Sequence, residues 1–247
     1  MTTSPVSAQI KLLSKDLRLP TIKDYENTLR ECMSENGSYE DFLLMLLQTE
    51  HDSRKHNQHL RRIRAAKFPV RKTIDSFDIG RLEHVSPALV HELATGKFIE
   101  NKENIIMIGN PGTGKTHLSI SIGLSACKAG YNVKFFTAAN LAVFLSEAEA
   151  KHQLGKTFRA LEKVDLLILD ELSYLSFNKY QSELLFQVIS ERSERGSIIL
   201  STNCEFSAWD QFFPDTMLTT ALIDRVTFRS HILNMNGASY RLNQSIG

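Results

Sequence analysis

The chain has 247 residues, 42% of them hydrophobic and 23% charged, with a formal net charge of +1. That is enough apolar material for the core of one large domain or of two unequal ones. No apolar run approaches the roughly 18 residues of a membrane span, and Met1-Thr2-Thr3-Ser4-Pro5 lacks a charged-then-apolar signal pattern. Cys32, Cys127 and Cys204 show no metal or redox spacing, so a cytoplasmic protein with reduced thiols and no membrane association is expected.

The first third reads as helical. Val6, Ile10, Leu13 and Leu17 are spaced for one helix face, and Ile22, Tyr25, Leu29 and Met33 mark a second helix after Pro20, ended by Gly37. Ser38-Tyr39-Glu40-Asp41 resembles a capping box, with Asp in place of the usual Glu or Gln. It opens a long helix through Phe42, Leu43, Leu46 and Leu47 toward Ala66, which Pro69 stops; residues 72–80 then read as a linker. This piece lacks the strand alternation of the remaining two thirds. The expected division is a small all-helical domain over 1–70 and a second domain over 71–247.

Charge is unevenly spread. Residues 1–72 hold 13 Lys/Arg against 9 Asp/Glu, whereas 73–247 hold 16 against 19. Most of the excess lies in 51–72, where Arg54, Lys55, Arg61, Arg62, Arg64, Lys67, Arg71 and Lys72 face Asp52 alone. Such a stripe attracts nucleic-acid phosphates. It is equally the composition of a solvated helix face, and charge alone leaves both readings open.

From about residue 70 the pattern alternates. Strands are expected at 105–108, 132–136, 164–169, 197–201 and 231–234, with helical segments between them. Parallel strands with crossover helices make a three-layer α/β sheet, which binds ligands at the carboxyl ends of its strands. After the first strand comes Gly109-Asn110-Pro111-Gly112-Thr113-Gly114-Lys115-Thr116, the phosphate-binding pattern G-x-x-x-x-G-K-[ST]. Its glycines let backbone N–H groups turn toward phosphates, Lys115 reaches the β/γ oxygens, and the Thr116 hydroxyl ligates Mg²⁺. Leu118, Ile122 and Ala126 recur at helical spacing behind it, so a helix from about Thr116 to Lys128 aims its positive end at the same anion. His117 ends the stretch 109–117 expected to contact the nucleotide, and its own part there is expected to be structural.

The run Val164-Asp165-Leu166-Leu167-Ile168-Leu169-Asp170-Glu171 reads as a strand buried on both faces and ending in two acids. Beside a phosphate loop, Asp170 would hold Mg²⁺ and Glu171 would orient and deprotonate a water. Asn203 follows the next strand. It suits a contact to the γ-phosphate or the lytic water, though Asn after a strand also serves as a turn residue. Asp224-Arg225 closes the helix-like segment 217–223. Arg225 could cap that helix, or reach a neighbouring subunit's γ-phosphate as an arginine finger.

In this order Gly109–Thr116, Asp170-Glu171, Asn203 and Arg225 look like the Walker A, Walker B, sensor 1 and arginine finger of an AAA+ ATPase. The finer run is Phe42-Leu43-Leu44 with the basic helix to Phe68-Pro69, Phe77-Asp78, Gly114-Lys115-Thr116-His117 and 169–174. It continues through Thr202-Asn203, 207–209, Asp224-Arg225 and Ser239-Tyr240-Arg241, and it resembles IstB-like transposition ATPases over residues 38–247. DnaC-type helicase loaders share the ATPase core. Ser173 stands where the family usually has Gly, and Phe228-Arg229 where a His pair is common. Few residues follow Arg225, so the family's C-terminal lid is expected to be largely missing and the role of Arg241 stays open.

The resemblance implies a P-loop AAA+ domain with a parallel sheet behind a small helical domain. It implies ATP and Mg²⁺ as ligands, and ATP-dependent assembly on double-stranded DNA as a homo-oligomeric ring or filament. It also implies a transposase as the partner to be recruited or stimulated. The alternatives are a replicative helicase loader and a nucleotide-dependent DNA scaffold with negligible turnover.

Overall fold

The computed structural model describes residues 4–173, 176–193, 195–237 and 239–240. They divide into two compact units, Met1–Arg61 and Arg62–Gly247.

The first unit holds α1 (Pro5–Asp16), α2 (Tyr25–Ser34) and most of α3 (Tyr39–Ala66), at the expected places. Pro5 sits in the first turn of α1, where a missing N–H breaks no helix bond. The capping box ahead of α3 is formed: the Asp41 N–H donates to Ser38 Oγ at 3.1 Å, and the Ser38 N–H donates to the Asp41 carboxylate at 2.8 Å. Polar contacts tie the helices. Ser7 Oγ donates to Glu26 at 2.7 Å. The buried Glu50 carboxylate accepts from Thr21 Oγ1 at 2.6 Å and from Arg54 Nε at 2.7 Å, while Arg54 Nη2 donates to the Arg18 carbonyl. Burial pushes the Glu50 carboxyl up, and the hydrogen bonds from Thr21 and Arg54 outweigh it, leaving its pKa below the ordinary value.

The second unit begins inside α3, between Arg61 and Arg62, whereas composition suggested a division near residue 70. The physical reason lies in three apolar residues within the basic segment. Ala66 is fully buried in the sheet unit's core, and Ile63 and Phe68 pack against it. Lys134 Nζ also donates to the Ala65 carbonyl at 2.6 Å.

Beyond them come α4 (Pro87–Ala94), α5 (Lys97–Glu100), β1 (Asn104–Ile108), α6 (Lys115–Ala129) and β2 (Val133–Thr137). Then follow α7 (Ala138–Ala150), α8 (Leu154–Glu162), β3 (Leu166–Asp170), α9 (Lys179–Arg192), β4 (Ser197–Thr202), α10 (Thr216–Thr227) and β5 (Ser230–Asn234). The strands form one parallel sheet in the order β2-β3-β4-β1-β5. Alternate strand residues enter two cores. Ile106, Leu167, Leu169, Ile198 and Leu200 meet α7, α8, α9 and α10, while Ile105, Met107, Ile168 and Ile199 meet α4, α5 and α6. This is the expected three-layer arrangement, and it leaves β1, β3 and β4 buried along their whole length.

Residues 72–80 are more than a linker. Turns of 3₁₀ helix at Ile74–Ser76 and Ile79–Arg81 press Ile74, Phe77 and Ile79 against the core on the α6 side. The cysteines are unpaired thiols as expected, and burial pushes Cys127 up to a pKa of about 11.

Candidate nucleotide site

The order of the sheet makes the site. The connection from β1 passes through α6 to β2 at the far edge, so β4 lies between β1 and β3. The chain crossing from one central strand to a distant one opens a crevice at the carboxyl ends. The loop after β1, the turn after β3 and the tip of β4 therefore converge there.

Gly112 and Gly114 adopt left-handed backbone at φ of 83° and 97°, which turns the loop back on itself before Lys115 starts α6. Gly109 is needed for a different reason, since a Cβ there would collide with the carbonyl of Met235. The stretch beyond β5 braces the loop: Asn236 Oδ1 accepts from the Asn110 N–H at 3.1 Å, and the Tyr240 N–H donates to the Gly112 carbonyl at 2.9 Å. Lys115 is buried, and its ammonium donates to the Gly109 and Asn110 carbonyls at 2.5 and 2.8 Å. Thr113 Oγ1 donates to the Asn110 carbonyl.

Thr116 Oγ1 donates to Asp170 Oδ2 at 2.8 Å, bridging the loop to β3. Asp170 is 2% exposed. Its second oxygen accepts from Ser201 Oγ on β4. Glu171 is exposed and takes a left-handed backbone at φ 59°, a conformation that costs a non-glycine residue about 1 kcal/mol or more. Its N–H donates to Ser201 Oγ at 3.0 Å. Asn203 follows β4, and its N–H donates to Ser173 Oγ at 3.0 Å. Ser173 thus ties the two turns together.

Glu171, Ser201 and Asn203 share one cavity of about 550 Å³ with Pro111 through His117, within the ~300–1,000 Å³ range of small-molecule sites. Lys72, Phe77 and Asp78 form another wall, with Asn236 and Tyr240 beside the loop. His117 Nε2 lies 3.2 Å from Ser76 Oγ and 3.3 Å from the Thr73 carbonyl, with its ring edge-on to Phe77. Burial lowers its pKa; the Thr73 carbonyl opposes that and nearby Lys72 adds to it. Its ring joins the 72–77 segment to α6 while lining the cavity.

Thr116 and Asp170 are hard oxygen donors within hydrogen-bonding reach of each other, a pair that suits Mg²⁺ held jointly with nucleotide phosphates. Among the described residues no group of three or more His, Cys, Asp or Glu could hold a metal without such help.

The family description "IstB-like ATP binding protein" matches residues 12–246. The chain belongs to this family. An IstB-like relative from Geobacillus stearothermophilus, named as a candidate ATP-binding protein of insertion sequence IS5376, is 40% identical over 229 residues, covering 92% of this chain and 91% of the relative. A similarly named IS21 protein of Pseudomonas aeruginosa is 36% identical, covering 89% and 83%. Among solved structures, AMPPCP-bound DnaA from Aquifex aeolicus aligns with a TM-score of 0.57 at 22% identity over 68% of this chain. The match spans about half of that DnaA chain, 51%. The DnaC helicase loader aligns with a TM-score of 0.51 at 18% identity, covering 72% of this chain and 99% of the loader. Those two likenesses are of fold, and they agree with an AAA+ sheet.

The remaining singled-out residues are not among those that line the cavity. Arg225 is exposed in the last turn of α10 and does not line the cavity. α10 continues to Thr227, so Asp224-Arg225 lie within the helix and do not close it. Arg54, Lys55 and Arg61 belong to the helical unit, and Arg62, Arg64 and Lys67 to the sheet unit. Lys55, Arg61, Arg64 and Lys67 are exposed and Arg62 is half-buried, while Arg54 is engaged with Glu50 and the Arg18 carbonyl. Arg241 lies outside the described residues.

Sequence reasoning missed Ser201, Lys72 and Asn236. The motif Phe77-Asp78 is a usable signal for the wall that these two residues form with Lys72. Nothing in local spacing marks a serine two residues before Asn203.

Proposed function

We propose that this ATP-binding AAA+ protein hydrolyses ATP, assembles on double-stranded DNA as a homo-oligomer and assists transposition by recruiting or stimulating a transposase. The observation that carries the hydrolytic part is that Thr116 and Glu171 line one cavity while Thr116 is hydrogen-bonded to the buried Asp170 behind it. In this reading the loop N–H groups and Lys115 bind the phosphates, and Thr116 and Asp170 would hold Mg²⁺. When bound, that ion would supply charge neutralisation to the nucleotide phosphates. Glu171 orients the attacking water and accepts its proton. Asn203, on the same cavity wall, hydrogen-bonds the γ-phosphate or that water.

Arg225 supports the oligomeric part. An exposed cation away from its own cavity is suited to act as a finger in a neighbouring copy's site. The names of the insertion-sequence relatives support the transposition context. The exposed cations of α3 and the turn after it supply DNA-phosphate contacts.

Phosphate release with and without duplex DNA tests the reading, with Glu171→Gln as the control. Release that rises with DNA and vanishes in the variant supports it. Nucleotide binding with no release in the unaltered protein would leave a DNA scaffold in its place.

A further inference from the structure

Three loops meet at the cavity, and one side chain bonds to both acidic residues at the end of β3. β4 separates the phosphate-loop strand from the acid-bearing strand, so a residue at its tip stands between them. Ser201 is that residue, next to last in β4 and 1% exposed. Its Oγ donates to Asp170 Oδ1 and accepts from the Glu171 N–H at 3.0 Å. Its carbonyl accepts from the Leu172 N–H at 3.0 Å. The ladder between β3 and β4 ends at the Leu169–Leu200 pair, so these bonds extend strand pairing into the turn.

We propose that Ser201 is a positioning residue for nucleotide hydrolysis. Its single hydroxyl orients the Asp170 carboxylate toward Thr116 and holds Glu171 in the left-handed backbone that presents its carboxylate to the cavity. This rests on the ATPase reading above.

The chemistry follows from the two bonds. A carboxylate that accepts from Ser201 through one oxygen is fixed in rotation, so its other oxygen stays with Thr116. A non-glycine residue at φ 59° needs its surroundings to over-determine it, and the bond from its N–H to Ser201 Oγ does so. Alanine at 201 would remove both bonds at once. Threonine would keep the hydroxyl and add a methyl that suits a strand.

The test uses the full chain with Ser201→Ala and Ser201→Thr. In nucleotide-free protein, exchange of the Glu171 amide should speed up by about tenfold or more in Ser201→Ala and stay near the unaltered rate in Ser201→Thr. The Mg²⁺ concentration needed for tight ATP-analogue binding should rise in Ser201→Ala and return in Ser201→Thr. Phosphate release should show kcat lower by about ten- to hundredfold in Ser201→Ala, with KM for ATP within about threefold. Threonine should restore most of it.

An alanine variant within about twofold of the unaltered kcat would overturn the proposal. So would parallel loss of kcat, nucleotide affinity and thermal midpoint with no rescue by threonine, since that marks a serine needed only for folding. If the unaltered protein releases no phosphate, the ATPase reading fails separately. Amide exchange and the Mg²⁺ titration then still decide the role of Ser201: unchanged values in Ser201→Ala would overturn it.

Discussion

In the helical unit Cys32 and Leu46 are the only buried apolar side chains among the described residues, and the buried carboxylate of Glu50 ties Thr21 to Arg54. In the sheet unit every residue of β1, β3 and β4 is buried, and polar groups gather at the strand tips. One unit holds a buried carboxylate bonded to its neighbours. The other rests on apolar burial and holds Thr116, Asp170 and Ser201 in one hydrogen-bonded group at the carboxyl ends of its strands. Substitutions at the sheet's tips should therefore alter chemistry while the fold persists, whereas those at Glu50 should loosen the fold and leave nucleotide chemistry alone.

The largest effect is expected at Glu171. Glu171→Gln should lower kcat by about 10²–10⁴ because an amide cannot take the water's proton, and ATP should stay bound. Lys115→Ala should instead lose tight ATP binding. Nucleotide affinity measured on both variants checks this, and equal loss in the two would remove the distinction between their roles.

Arg225→Ala comes next. An isolated subunit should bind ATP normally, and DNA-stimulated hydrolysis should fall by about a hundredfold or more. Mixing this variant with Lys115→Ala places intact sites against intact fingers at some interfaces, so activity should partly return. No recovery, with ATP binding lost as well, would make Arg225 a structural residue.

Gly109→Ala sharpens the comparison from the packing side. The new methyl meets backbone at Met235, which cannot rotate away. Such overpacking costs about 1–3 kcal/mol and should displace the phosphate loop, read as a lower thermal midpoint together with weaker nucleotide binding.

Glu50→Ala leaves the Thr21 N–H and the Arg54 guanidinium short of a partner and should cost the helical unit about 1–3 kcal/mol. Because the folded pKa of Glu50 lies below its ordinary 4.5, its contribution is complete above that value and is lost as the pH falls through the folded pKa. Amide exchange in α1 and α2 should rise with acid before exchange in β1 or β3 does. Simultaneous opening of both units would erase the contrast.

The smallest effect concerns DNA. Neutralising Lys55 and Arg61 should weaken binding about equally for any duplex and flatten the salt dependence by roughly 0.9 slope units for each phosphate left without its cation. Arg54→Gln should act chiefly on stability, since its guanidinium is tied to Glu50. An unchanged salt slope in the Lys55 and Arg61 variants would make the stripe a solvated helix face.

Much of this was legible in the chain. Apolar periodicity announced α1, α2 and α3 and all five strands, with ends displaced by a few residues at most. The glycine spacing of 109–116 announced the loop, and the paired acids after an apolar run announced the tip of β3. The difference between the expected boundary near residue 70 and the division at Arg61–Arg62 has a physical cause: Ile63, Ala66 and Phe68 are scattered among cations, so their burial is hidden by composition. The 72–80 segment misled for a similar reason, since Ile74, Phe77 and Ile79 follow no single period.

By itself the sequence determined which segments become strands, helices and a phosphate loop, because periodicity and left-handed glycine turns are properties of near neighbours. Only the tertiary structure decided that β4 runs between β1 and β3, and with it that Ser201 bridges the acids. The same holds for the brace that Asn236 and Tyr240 place on the loop, and for the bond from Arg54 to the Arg18 carbonyl that takes one cation out of the basic stripe. Strand order and side-chain pairing depend on contacts between distant parts of the chain, and no local spacing encodes them.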